Sequence, residues 1–162
     1  MSTKKKSQYH KIDSNIHLEI YKILKGSYEQ AIFGSINETN FPFLSKILPL
    51  YLENNIYLLL SDLSEHTKNI VFNQKSSIYY VLKEKHKQKL NNPRLTLIGV
   101  TKKLKLKKSD KQYQKLLSQY SLIESAAAMW GNFDDFNFYI FNIHQYLYVK
   151  GFGKAYIKIL NK

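Results

Sequence analysis

The chain has 162 residues, 44% of them apolar and 14% aromatic, which suffices for one domain with its own core and leaves no room for a second. It contains no cysteine, which excludes a disulfide framework and a thiolate metal site, and His10, His17, His66, His86 and His144 lack the spacing of a structural zinc site. The net charge of +13 comes from 24 lysines and one arginine in a chain also rich in Ile, Asn and Tyr, so it reads as a composition bias that makes a nucleic-acid partner unlikely on charge alone.

Residues 1–14 are polar and basic without periodicity and are expected to form a disordered tail, with residues 15–162 a single domain. Met1–Lys6 runs into polar residues rather than an apolar stretch, and no apolar run reaches membrane-spanning length. A cytoplasmic protein with no signal peptide and no membrane partner is therefore expected. Ile16, Ile20, Ile23 and Leu24 recur at helical spacing up to Gly26, predicting a short helix over one end of the fold. Gln30–Ile36 has strand character, and Asn37–Asn40 is turn chemistry leading into a second strand, Phe43–Leu52, with Pro42 and Pro49 marking an edge or bulge. Glu53–Asn55 is a further turn before the apolar run Ile56–Leu60, and three strands so close together predict a meander.

Ser61–Asn69 is where that strand ends and a helix begins, with Ser64 a candidate N-cap. Ser77–Leu82 is a fourth strand, Lys83–Asn92 a lysine-rich loop, and Arg94–Leu104 a fifth strand. Ser109 is a candidate cap for a helix carrying Tyr113, Leu116, Leu117 and Tyr120, and Leu122–Trp130 predicts a second short helix. Asp135–Phe141 returns to strand, Tyr146–Val149 is the next, and Ala155–Leu160 is a last extended segment after Gly151–Phe152–Gly153. The fold class expected from this order is mainly β with peripheral helices, a six-stranded antiparallel barrel; periodicity alone leaves an oligonucleotide-binding fold open.

Ser64, His66 and Thr67 offer polar groups beside the exposed N–H groups of a helix N-terminus, an arrangement that favours phosphate or carboxylate. Arg94 is the only guanidinium in a lysine-dominated chain, and a planar bidentate fork suits the same anions. The bland alternatives are a helix cap at Ser64 and a surface ion pair at Arg94.

Four segments, Leu60–Ile70, Asn92–Leu97, Asp135–Phe136 and Val149–Ala155, resemble in order the haem-utilisation (HugZ-like) branch of the pyridoxamine-phosphate-oxidase-like split β-barrels. The resemblance implies a homodimer of barrels side by side, with haem or flavin mononucleotide (FMN) in clefts at the shared face. It implies Ser61, Ser64, His66, Thr67, Lys68, Asn69, Arg94 and Asp135 as cofactor contacts, with Asp135 next to the cleft. Either a haem-degrading oxygenase or an FMN-dependent oxidoreductase is open as an enzyme class. His66-Thr67 stands where flavin-binding relatives carry a consecutive Arg-Lys pair, which weakens a phosphate grip and favours haem, whose propionates can be met by scattered cations such as Lys68 and Arg94. Haem-binding relatives place an axial histidine beyond the Gly-Phe-Gly motif; here no histidine follows His144, leaving Tyr156 or His144 as alternative iron ligands, against packing and turn roles for them. A nucleic-acid-binding barrel using Lys102–Lys111 is the third reading.

Overall fold

The computed structural model describes residues 9–160, so residues 1–8 of the expected tail lie outside the described residues. The remainder of that tail is ordered. Strand β1 (His10–Lys11) pairs in parallel with β9 (Lys154–Ile159), and Asp13 caps helix α1 (Ser14–Leu24) by accepting the Ile16 N–H at 2.9 Å. A two-residue strand whose partner lies at the other end of the chain leaves no local pattern. The four apolar residues at helical spacing are all buried, and after Lys25 the chain leaves the helix through Gly26 at φ +113°, a conformation costly for any residue with a Cβ.

Strands β2 (Gln30–Ile36) and β3 (Pro42–Ile47) form the expected hairpin. The predicted second strand is broken at Leu48–Pro49, and its remainder is β4 (Leu50–Leu52), joined to β5 (Asn55–Ser61) through Glu53 and Asn54, both at positive φ as a two-residue hairpin turn requires. The expected meander stops there. β5 pairs on its other side with β8 (Phe136–Gly151), which takes up the backbone hydrogen-bonding edge that the β4 hairpin leaves free on this buried strand. Helix α2 (Glu65–Phe72) follows, then β6 (Lys75–Val81) and β7 (Arg94–Lys103), with a 3₁₀ turn at Lys89–Asn91 between them. Helices α3 (Lys111–Ser121) and α4 (Ala127–Trp130) precede β8. The N-cap of α3 is Asp110 rather than Ser109.

β8 is one 16-residue strand where two were expected. Its first part pairs with β5, its last part with β9, and β7 runs along most of it. The ladder slips at Ile98/Gly99, leaving His144 as the extra residue of a bulge and reversing the inward-outward phase, which is why the sequence alternation looks interrupted. Gly99 sits opposite the bulge, where a Cβ would fall on the Asn142 carbonyl. The sheet runs β9-β8-β7-β6-β2-β3 and closes through β4 and β5 back onto β8. The expected class holds: six staves make the barrel, with β3 and β4 two halves of one, and β9 and β1 extend it.

Three apolar surfaces follow from this closure. The barrel interior holds Phe33, Ile56, Leu58, Ile78, Leu95 and Leu97, all fully buried. The outer face of β4, β5 and early β8 is covered by α3 and α4, with Tyr113, Leu116, Leu117 and Tyr120 against Tyr57, Leu59 and Phe138. Among the described residues no helix covers the outer face of β3, β2, β6, β7, late β8 and β9. Two cross-strand rows run over it, Leu44–Gly34–Ser77–Ile98–Gln145–Ile159 and Lys46–Ile32–Tyr79–Thr96–Leu147–Ile157. Leu44, Tyr79, Ile98 and Ile159 are exposed there, 69%, 37%, 44% and 65% respectively, a concentration of apolar surface typical of an interaction face.

Candidate cofactor site

The register Ser61↔Phe136 sets the end of β5 beside the start of β8, and the two loops are tied together there. The Ser61 hydroxyl donates to Asp135 Oδ2 at 2.5 Å, and the Asp62 N–H donates to the Asp135 carbonyl at 2.7 Å. Ser61 Oγ also accepts the Leu63 N–H at 3.1 Å, fixing the turn into α2. Ser64 holds the N-cap position with extended backbone (φ −72°, ψ 141°), and its carbonyl accepts from Thr67 and Lys68. Its hydroxyl makes no capping bond, which corrects the side-chain cap expected from sequence. That hydroxyl belongs to the wall of a cleft.

The cleft, about 530 Å³, opens where β3 bends away from β5, and Ser61, Ser64 and His66 line it. That volume is in the range of small-molecule sites. Part of the lining is aromatic: Trp130 and Phe136 stack with centroids 6.2 Å apart at 28°, and Tyr120, whose hydroxyl donates to the Leu48 carbonyl, lines the cleft too. Among the described residues Lys46 is the one lysine or arginine lining the cleft, and Glu29 and Glu124 line it too. The His66 ring meets Phe33 edge-on at 6.1 Å, its Nε2 is buried without a hydrogen-bond partner, and burial lowers its pKa below the ordinary histidine value.

The remaining residues of the segment face elsewhere. Thr67 is 1% exposed with its hydroxyl buried and unpartnered, and Asn69 is buried and donates to Ser35 Oγ at 3.0 Å, so both belong to the barrel end that α2 plugs. Lys68 is exposed and pairs with Glu65 at 3.6 Å. Next to the cleft, burial pushes the Asp62 carboxyl up, but hydrogen bonds from Lys103, Tyr139 and Asn137 outweigh it and leave its pKa below the ordinary value.

Arg94 is not part of this cleft within one chain. It pairs with Val81 and Val149 on the margin of the bare outer face, whereas Ser61 pairs with Phe136 at the other end of β8. Its Nη1 donates to the carbonyls of Leu90 and Asn92 at 3.1 and 3.3 Å, and among the described residues no other nitrogen of the guanidinium is engaged. The surface ion pair weighed from sequence is absent among the described residues. Of the two alternative iron ligands, Tyr156 is a packed aromatic against His10 and Tyr148, at 5.5 and 6.4 Å, and His144 is the bulge residue rather than a turn residue. His144 lines a hollow of about 690 Å³ in the bare face, where Gly34 and Ser77 leave space between Leu44 and Ile98. The lysine stripe Lys102–Lys111 is not continuous as a free cationic surface, since Lys103 pairs with Asp62 at 2.9 Å and Lys108 points at carbonyls.

Sequence reasoning missed Lys46, Tyr120, Trp130 and Phe136 as cleft residues. Their signal was present only in part: Trp130 is the sole tryptophan, and Phe136 follows the singled-out Asp135. A flat ring with an acidic tail fits this donor set, with aromatic side chains for the ring and Ser64 and Lys46 for the acid. His66 Nε2, being buried, does not present an axial iron ligand to the cleft.

These features define a split-barrel protein with a cleft at the split. A family model described as "CREG, beta-barrel" matches residues 31–160, and the chain belongs to that family. The structure is similar to that of Campylobacter jejuni ChuZ (TM-score 0.80, 18% identity, 93% of this chain and 61% of that one). It is similar also to a heme binding protein from Mycobacterium smegmatis (TM-score 0.73, 19% identity, 85% of this chain and 55% of that one). A third similar structure, from Clostridium acetobutylicum, is a protein related to general stress protein 26 of the pyridoxinephosphate oxidase family (TM-score 0.66, 16% identity, 92% of this chain and 97% of that one). The chain thus spans little more than half the length of the mycobacterial and Campylobacter proteins. These likenesses establish the fold and agree with the split-barrel resemblance read from sequence. No curated protein matches the sequence. No helix among the described residues is long and apolar enough to cross a membrane.

Proposed function

We propose that this chain is a cytoplasmic haem-binding split-barrel protein that acts as a homodimer. The observation that carries the reading is the cleft at the split, whose lining brings the Trp130–Phe136 stack together with Ser64 and Lys46. The ring lies against the aromatic wall, and the propionates meet Ser64 and Lys46, the Ser61 proton being already donated to Asp135. A similar fold described as heme binding supports haem as the ligand. The second copy docks on the bare outer face, whose rows of apolar side chains suit an isologous contact, and Arg94 on its margin supplies a guanidinium to the shared cleft. The iron is then ligated by something other than the cleft's own side chains, with oxidative breakdown of the haem a further step of the same proposal.

FMN is the second reading. It is favoured by the uncapped Ser64 hydroxyl at the start of α2, a phosphate-type seat, and by the similar fold of the pyridoxinephosphate oxidase family. Titration of the purified protein with haemin, followed by absorbance, separates the two. A saturable Soret band that weakens in Ser61→Ala/Ser64→Ala is expected. A flavin spectrum in protein as purified, or no Soret band with haemin, overturns the haem reading.

A further inference from the structure

One lysine in this lysine-rich chain is unlike the others. Lys108 directs its ammonium inward, donating to the Tyr113 hydroxyl at 2.6 Å, to the Gly131 carbonyl at 2.7 Å and to the Phe136 carbonyl. Tyr113, 1% exposed, donates to the same Gly131 carbonyl at 2.6 Å and reaches the Phe136 carbonyl at 3.4 Å. These two carbonyls bracket the Gly131–Phe136 connection between α4 and β8, where the chain makes no ladder bonds of its own. Burial lowers the pKa of this ammonium, while Asp134, Asp135 and Asp62 act in the opposite sense. The connection is held also by its own turns, Phe133 N–H donating to the Trp130 carbonyl at 2.9 Å and Phe136 N–H to the Phe133 carbonyl at 3.1 Å, by Gly131, where a Cβ would run into Leu117, and by the Asp135 contacts to Ser61 and Asp62.

What this staple fixes is the wall of the cleft. Trp130 immediately precedes the bracketed segment, Phe136 ends it, and Asp135 within it takes the Ser61 hydroxyl. Two donor groups, the ammonium and the phenol, on two carbonyls at the ends of one turn hold both rings of the stack and the neighbouring Ser61 in one geometry. A solvated lysine would be satisfied by water, whereas here the ammonium is turned onto these acceptors, with Asp134, Asp135 and Asp62 adding favourable charge. We propose that Lys108 is the positioning residue of the cleft, holding the Trp130–Phe136 pair as the surface on which a planar ligand stacks. The ligand-stacking part rests on the proposed function; the ordering of Trp130 does not.

Trp130 is the only tryptophan, so its fluorescence reports the wall directly. Lys108→Met keeps the stem and removes the donors; Lys108→Arg restores them in a different geometry. Lys108→Met is expected to keep its circular dichroism, to raise acrylamide quenching of Trp130, and to weaken haemin binding about tenfold with a shifted Soret maximum, the scale of one lost pair of hydrogen bonds. Lys108→Arg is expected to recover most of the quenching protection and affinity. Should Lys108→Met not fold, Tyr113→Phe removes one donor from each carbonyl and is expected to change quenching in the same direction to a smaller degree. Trp130 quenching unchanged from wild type in a folded Lys108→Met overturns the positioning role. Changed quenching with unchanged haemin affinity and Soret maximum overturns the link to the ligand. Wild-type protein that gives no Soret band with haemin overturns the functional reading and with it the ligand-stacking role, while the quenching result still decides the ordering of the wall.

Discussion

Asn92 organises the long connection between β6 and β7, and removing its side chain offers a test of the local physics. It is 6% exposed; its Oδ1 accepts the N–H groups of Lys85 and His86 at 2.8 and 2.9 Å, and its Nδ2 donates to the carbonyls of His86 and Lys89 at 3.0 and 3.3 Å. Four hydrogen bonds at about 0.5–1.5 kcal/mol each give several kcal/mol gross. The loop around them is exposed, so water replaces part of what is lost, and Asn92→Ala is expected to cost about 2 kcal/mol of unfolding free energy. Asn92→Asp keeps the acceptor but turns a carboxylate toward two carbonyls, and about half that loss is expected. Urea unfolding gives the global figure, and amide exchange at Lys85 and His86 the local one, with roughly thirtyfold faster exchange expected in Asn92→Ala. A loss under about 0.5 kcal/mol together with unchanged exchange at those two amides would refute the assignment of Asn92 as the loop's organiser.

Two further outcomes can be measured with the same material. Burial lowers the folded-state pKa of His66, so the unfolded chain binds a proton there more readily; this stability is fully present above the unfolded pKa, about 6.5, and is lost as pH falls below it, with a slope of up to about 1.4 kcal/mol per pH unit. The urea midpoint is expected to drop between about pH 7.5 and about pH 5.5 in wild type and to drop less in His66→Gln; an equal drop in both would assign the effect to other groups. Ile98, 44% exposed at the middle of the bare face, is expected to convert a dimer to a monomer as Ile98→Lys, read by light scattering, with circular dichroism unchanged. A wild-type monomer, or a variant that still dimerises, would refute the proposed contact face.

Much of the fold was legible because the burial pattern is local. Ile16, Ile20, Ile23 and Leu24 marked α1, and Tyr113, Leu116, Leu117 and Tyr120 marked α3, and all eight are buried. Ile56–Leu60 read as a strand covered on both faces, and it is. What escaped depends on contacts distant in sequence. β1 exists only through β9; the pairing of β5 with β8 replaces a meander; and the His144 bulge shifts the phase of alternation, so one strand reads as two. At the site, the Ser61–Asn69 segment was found, but the helix turns successive residues to different sides, sending His66 to the cleft, Lys68 to solvent, and Thr67 and Asn69 to the barrel end. Sequence proximity cannot sort those destinations until the helix is docked.

Charge places a condition on the proposed site. The chain carries a net +13, yet among the described residues Lys46 is the one lysine or arginine that lines the cleft, against Glu29 and Glu124. The bulk field draws an anion toward the protein, but it does not choose where the anion rests, because exposed charges are screened over about a Debye length. Seating a haem with two propionates therefore calls for a cation from outside the single-chain cleft. Arg94 has the chemistry for it: Nη1 is held by the Leu90 and Asn92 carbonyls, which orients the guanidinium, and it stands on the margin of the face that a second copy would cover. Affinity and dimerisation should then be coupled, so that Ile98→Lys, with no residue of the cleft altered, weakens haemin binding as it dissociates the dimer. Unchanged haemin affinity in a monomeric Ile98→Lys would show that one chain suffices and that Arg94 does no more than cap its own 3₁₀ turn.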